Sequence, residues 1–272
     1  MKKIISIILT LCFILALCPA VFAEETLNYV VLGDSIAAGT GVLNGKQACY
    51  GKIVADTNGY NYVNYGVNGY RSIDLIDRVL TNEQAINDIK NADIVSISIG
   101  GNDFLQQNLP KLIYLAAQGD YHHLDNIEAN LYDNLDVIIT TIRSLAPDCV
   151  ILMQTLYNTH ISLMGEIYDL AIPRVNNVVY SYLENNPGVY EVIDAATAFD
   201  GHPEYVAVDT IHPTAVGNVA MAEIILEKLN DLGLGDNTEP EVNAIGIDEI
   251  PFSSYFFSLL MKIFRTFASV FA

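Results

Sequence analysis

Five short apolar runs, at 27–32, 60–64, 94–99, 150–155 and 189–193, are rich in β-branched residues, and each fits a buried strand. Between them, apolar positions recur with helical spacing at 50–57, 72–80, 104–117, 126–145 and 165–184, and a sixth such segment follows at 215–232. Strands without a polar face, alternating with helices, build a parallel sheet covered on both sides. The pattern therefore predicts an α/β protein, a three-layer α/β/α sandwich around a five-stranded parallel sheet. Pro173 falls inside the fifth helical segment and should kink it or mark its true start, whereas Pro147 and Asp148 close the fourth.

The two ends of the chain depart from this alternation. Lys2 and Lys3 precede an apolar stretch at 4–17, then Pro19 and Val21-Phe22-Ala23, the layout of a signal peptide spanning 1–23. Cleavage after Ala23 is expected, which would make the protein secreted or displayed at the cell surface. Cys18 follows Leu17, where a lipidation signal prefers a small residue, so lipidation is not expected. The domain then covers 24–232, and a stretch rich in Gly, Asp, Asn and Glu at 233–250 reads as a linker.

Beyond Pro251, a helical projection of 251–272 gathers Ser254, Ser258, Lys262 and Arg265 on one arc and Phe256, Phe257, Leu260, Ile263 and Phe267 opposite. The two charges leave no uninterrupted span for a bilayer, and an amphipathic helix lying on a membrane surface fits better. Packing back on the domain or self-association through the same face is the competing reading.

Composition narrows the partners. Of 272 residues, 13 are Lys or Arg and 32 are Asp or Glu, for a net charge of −19, so no basic stripe exists to neutralise nucleic acid. After the leader only Cys49 and Cys149 remain, too few for a disulfide framework and placed on elements that need not be neighbours. Two buried free thiols are expected.

The candidate chemistry lies just beyond the strands. Gly33-Asp34-Ser35 ends the first apolar run, and Asp209-Thr210-Ile211-His212-Pro213 follows the last. A serine hydroxyl becomes a nucleophile when an imidazole takes its proton, and the imidazole needs a carboxylate to fix its tautomer. Ser35, His212 and Asp209 can fill those roles. Asn64-Tyr65-Gly66-Val67-Asn68-Gly69 and Gly100-Gly101-Asn102-Asp103 also follow apolar runs, where a loop can offer N–H groups to a developing oxyanion. In a doubly wound sheet these loops share the carboxyl edge and can meet in one crevice. Taken singly, each motif also reads as an ordinary turn or cap, with Asp103 capping a helix that starts at Phe104. His122 and His123, near Asp120 and Asp125, have no recognised metal-ligand spacing, and no metal is expected. His160 and His202 read as ordinary histidines, with His202 able to reach the crevice rim.

Together the four segments resemble the SGNH/GDSL hydrolase family, over about 27–232 and in the family's order. Ile36 stands where the name-giving pattern has Leu, an apolar exchange. No Gly-x-Ser-x-Gly pentapeptide marks the competing α/β-hydrolase scaffold. The resemblance implies a flavodoxin-like sheet and acyl-ester hydrolysis without a cofactor, with Ser35 as nucleophile, His212 as base and Asp209 as its partner. It also implies oxyanion donors from Ser35, Gly69 and Asn102, leaving Gly66 as the turn glycine. Lipid or lipid-like esters are the expected substrates, with a carbohydrate acetylesterase or a silent binding module as alternatives. Residues 104–125 are the expected wall of an acyl pocket.

Overall fold

Burial on both sides is what the strand sequences require, and the computed structural model, which describes residues 26–158, 165–207 and 209–243, provides it. The strands β1 (Asn28–Gly33), β2 (Asn61–Asn64), β3 (Ile94–Ser98), β4 (Val150–Gln154) and β5 (Glu191–Ile193) form one parallel sheet in the order β2-β1-β3-β4-β5. All five residues of β3 are buried, whereas the edge strand β2 is partly exposed.

The helices are α1 (Gly45–Ala48), α2 (Tyr50–Asn58), α3 (Ser72–Arg78), α4 (Glu83–Lys90), α5 (Gly101–Leu105), α6 (Leu109–Ala117), α7 (His122–Leu145), α8 (Gly165–Asn185), α9 (Ala195–Phe199) and α10 (Ala215–Asp231). A right-handed crossover from β1 to β2 runs one way along the sheet, and every later crossover runs the other way. This places α2 and α10 together on one face and α3, α4, α7 and α8 on the other. The first pair is tied by Asn218 of α10, whose Oδ1 accepts the Tyr50 N–H at 3.0 Å. On that face Tyr29 Oη and Ser96 Oγ share a hydrogen bond of 2.8 Å.

The strands and long helices match the hydrophobic pattern, and the short helices α1 and α9 lie outside it. The segment 104–117 is two helices, because Pro110 in a continuous helix would lack an N–H and clash with the carbonyl of Gln106. Instead α5 stops at Leu105, and Asn108 opens α6 by accepting the Lys111 N–H at 3.2 Å. Pro173 does not mark the start of α8, which begins at Gly165 and runs through it. The lost hydrogen bond is offset by packing on α7, where Arg174 pairs with Asp125 and Glu128, each at 2.7 Å. Helix α4, unexpected from the pattern, buries only Ala85 and Ile89 and is capped by Asn82.

Cys49 and Cys149 are both buried and unbridged. The first part of the stretch expected to be a linker is bonded to the domain: the Leu234 carbonyl accepts Tyr60 Oη at 2.7 Å, and the Glu241 N–H donates to Thr57 Oγ1 at 2.8 Å. The expected leader at 1–23, the amphipathic segment at 251–272 and His160 lie outside the described residues.

Candidate active site

The switch point of the sheet lies between β1 and β3, and the carboxyl ends of those two strands build the first half of the site. Gly33 closes β1 with φ 140°, and a Cβ there would sit 2.1 Å from the Ser98 carbonyl oxygen. Only glycine lets the chains approach so closely, and the approach lets the Asp34 N–H donate to that carbonyl at 3.0 Å. Asp34 turns inward, accepts the Ile36 N–H at 3.0 Å and leaves Ser35 facing the crevice. Burial pushes the Asp34 carboxyl up to about 7, helped by the nearby charge of Asp103 and opposed by the Ile36 N–H.

The second half is the loop that ends in α10. Asp209 Oδ1 accepts the N–H groups of Ile211 and His212, both at 3.0 Å, while its Oδ2 meets His212 Nδ1 at 2.5 Å. The other ring nitrogen, Nε2, lies 2.8 Å from Ser35 Oγ. Both His212 and Asp209 are buried. Burial alone would raise the Asp209 carboxyl, but the His212 ring and the two backbone donors outweigh it and hold the group below the usual carboxylate range. Between them Thr210 takes φ 63°, an uncommon conformation for a β-branched residue. Thr214 ends the loop by capping α10, its Oγ1 accepting the Gly217 N–H at 3.1 Å.

Among the described residues, the N–H groups of Ser35 and Gly69 bond to no protein acceptor. Asn102 lines the crevice and gives one amide hydrogen to the Tyr70 carbonyl at 3.0 Å, which leaves its second hydrogen for another acceptor. Neighbouring side chains of α5 hold the same loop. Gln106 Nε2 donates to the Gly69 carbonyl, and Asp103 accepts the Ser72 N–H at 3.0 Å and its hydroxyl at 2.5 Å. Asp103 therefore caps α3 across the site rather than its own helix. Both glycines answer a backbone need. Gly69 carries the positive φ of 79°, and Gly66 is needed because a Cβ would lie 2.5 Å from the Ala38 nitrogen. Gly69 sits at the exposed rim, outside the residues that line the crevice.

A pocket of about 610 Å³ opens beside Ser35. Its wall is apolar, but only Leu105 comes from the expected 104–125 region. The rest is Leu156 and Tyr157 after β4, Ile211, and Tyr168, Ala171, Ile172 and Val175 of α8. Those four helix residues follow i, i+3, i+4, i+7 spacing, a stripe visible in the sequence whose destination, core or crevice, was not. Leu105 reaches the pocket while 109–117 does not, because the chain breaks at Pro110. His202 stacks on Tyr205 at 4.5 Å between centroids and is not among the residues that line the pocket. His122 lies in the first turn of α7, where its Nε2 meets Asn126 Nδ2 at 3.2 Å. Among the described residues, no three His, Cys, Asp or Glu side chains gather to hold a metal.

A serine hydroxyl bonded to an imidazole, with a buried carboxylate behind it, can transfer an acyl group. Known proteins point the same way. Structures with this architecture include the lipase Lip_vut3 from a goat rumen metagenome, with TM-score 0.59 and 23% identity over 77% of this chain and 99% of that one. Phospholipase A1 from Streptomyces albidoflavus gives TM-score 0.57 and 20% identity, covering 75% and 99%. These two establish the fold. In sequence, the spore germination lipase LipC of Bacillus licheniformis is 28% identical over 221 residues, covering 77% of this chain and 98% of that protein. Residues 31–220 match the GDSL-like Lipase/Acylhydrolase family, and that span holds Ser35, Asn102, Asp209 and His212. With the sheet order, the serine–imidazole pair and this match in agreement, the chain belongs to the GDSL-like lipase/acylhydrolase family and is an ester hydrolase.

Proposed function

We propose that the protein cleaves esters of apolar acyl chains through an acyl-enzyme on Ser35. His212 Nε2 takes the hydroxyl proton as Ser35 Oγ attacks the ester carbonyl, and Asp209 stabilises the imidazolium through Nδ1. The carbonyl oxygen, now negative, is held by the N–H groups of Ser35 and Gly69 and by the Asn102 amide. His212 then returns the proton to the leaving alkoxide. Water attacks the acyl-enzyme by the same route, and the carboxylic acid leaves.

The observation that carries the substrate class is the pocket. Its lining from Ile36, Leu105, Leu156, Tyr157, Ala171, Ile172, Val175 and Ile211 meets Ser35 directly, and such a wall favours a hydrocarbon chain over a sugar ring. The likeness to a spore germination lipase supports the same reading.

The test is a series of p-nitrophenyl esters from acetate to palmitate, with the protein beside its Ser35→Ala variant. Hydrolysis is expected to rise from acetate to medium chains and to vanish with the serine. A sharp preference for acetate would instead favour a carbohydrate acetylesterase. Activity that survives Ser35→Ala would overturn the acyl-enzyme.

A further inference from the structure

The loop that carries the base is under tension. Thr210 holds a left-handed conformation that a β-branched side chain disfavours, and such a conformation persists only where its surroundings over-determine it. Several bonds fix the loop's own shape. The Thr210 N–H donates to the Ala207 carbonyl at 2.8 Å, the Ala207 N–H to the His212 carbonyl at 2.8 Å, and Asp209 Oδ1 collects the next two N–H groups. All of these lie within 207–212, so they shape the loop without fixing where it stands relative to Ser35.

A bond from the opposite wall ties the loop to the segment after β4. Tyr157 Oη donates to the Ile211 carbonyl, next to His212, at 2.7 Å. Tyr157 is itself held through its ring and through its chain neighbour. Its ring stacks on Phe199 with centroids 4.1 Å apart and planes at 17°. The residue before it is gripped by Asn176 of α8, which accepts the Leu156 N–H at 2.7 Å and donates to the Leu156 carbonyl at 2.8 Å. The hydroxyl stays a donor throughout the working pH range, since burial, together with the charges of Asp209 and Asp34, pushes its ionisation far up.

We infer that Tyr157 is a positioning residue of the ester-hydrolysis reaction: its hydroxyl clamps the strained Asp209–His212 loop onto the end of β4, holding His212 in line with Ser35, while its ring forms part of the acyl wall. The two roles separate chemically. The ring touches substrate, and the hydroxyl acts through the base. Removing only the hydroxyl lowers turnover for every acyl chain, and removing the ring as well makes the loss depend on chain length.

This inference rests on the acyl-enzyme reading above, and the experiment keeps the two apart. Tyr157→Phe is expected to lower kcat about ten-fold on p-nitrophenyl acetate and octanoate alike, the loss of one buried hydrogen bond, with KM within about two-fold. Labelling of Ser35 by a small fluorophosphonate should slow by the same factor, which a change in overall stability would not produce in folded protein. In a Thr210→Asn background the same substitution should cost less, about three-fold, because Asn tolerates the left-handed conformation and the loop no longer needs restraint. An unchanged kcat, a loss confined to octanoate or to KM, or an equal loss in both backgrounds overturns the clamp. Activity without Ser35 overturns instead the reading on which it stands.

Discussion

Asp34 shows how far one side chain can be displaced by its setting. Its carboxyl is buried beside the nucleophile and titrates at about 7 rather than at its ordinary 3.8. Between those two values the unfolded chain is ionised at this residue and the folded one is protonated. Folding there takes up a proton, so stability falls as pH rises from about 4 to about 7 and levels off above. Asp34→Asn keeps an acceptor for the Ile36 N–H and cannot ionise, so it should remove this slope. Melting measured at pH 5 and pH 8 is expected to show the parent losing more stability than the variant across that interval, by up to a few kcal/mol. Parallel curves would mean that Asp34 is ionised in the folded state. The same scale shows what sequence could convey. Ser35, Asp209, His212 and Asn102 stood out because their side chains carry chemistry at a telling spacing, and the fold brings all four to one crevice. The division of labour between Gly66 and Gly69 did not, because a glycine's role is written in backbone angles and in neighbours distant along the chain. Thr210 gave no signal at all, since nothing in a Thr predicts a left-handed conformation.

At the scale of elements, strands and long helices were legible, and their use was not. All five strands fall where β-branched apolar runs place them, and those buried on both faces, such as β3, need little context to be recognised. Helix α4 escaped because it buries only two residues and is otherwise polar. Its cap, Asn82 accepting the Ala85 N–H at 3.0 Å ahead of Glu83, was the readable signal, as were Asn108 and Pro110 for the break between α5 and α6. The stripe at 168, 171, 172 and 175 looked like any core-facing helix, yet it lines the crevice. Ala171 is the smallest residue of that stripe, so Ala171→Phe should fill the pocket while leaving Ser35 open. The expected outcome is a loss of at least about ten-fold in kcat/KM for octanoate, equivalent to about 1.4 kcal/mol, with acetate within about two-fold. Equal losses on both esters would place the acyl chain elsewhere.

For the molecule as a whole, the question is where the chain leaves the domain. The described C-terminal stretch runs back along the sheet's amino edge, opposite Ser35, where Asn237 exchanges bonds of 3.0 and 3.1 Å with Asn58 and the Glu241 N–H reaches Thr57. Those contacts join the start of the expected linker to the folded unit. A chain ended at Asn243 should therefore keep the melting temperature and the soluble-ester kcat/KM of the full protein. A chain ended at Leu232 loses five hydrogen bonds to Thr57, Asn58 and Tyr60, each worth about 1 kcal/mol, and should melt lower by about 5 °C or more. The amphipathic pattern of 251–272 adds a second readout. Full-length protein should sediment with phosphatidylcholine liposomes and the chain ended at Asn243 should not, with equal hydrolysis of a soluble ester by both. If both chains ignore liposomes and only the full-length one dimerises, the tail's apolar face serves self-association. If ending at Asn243 slows hydrolysis of the soluble ester, the tail acts on the crevice.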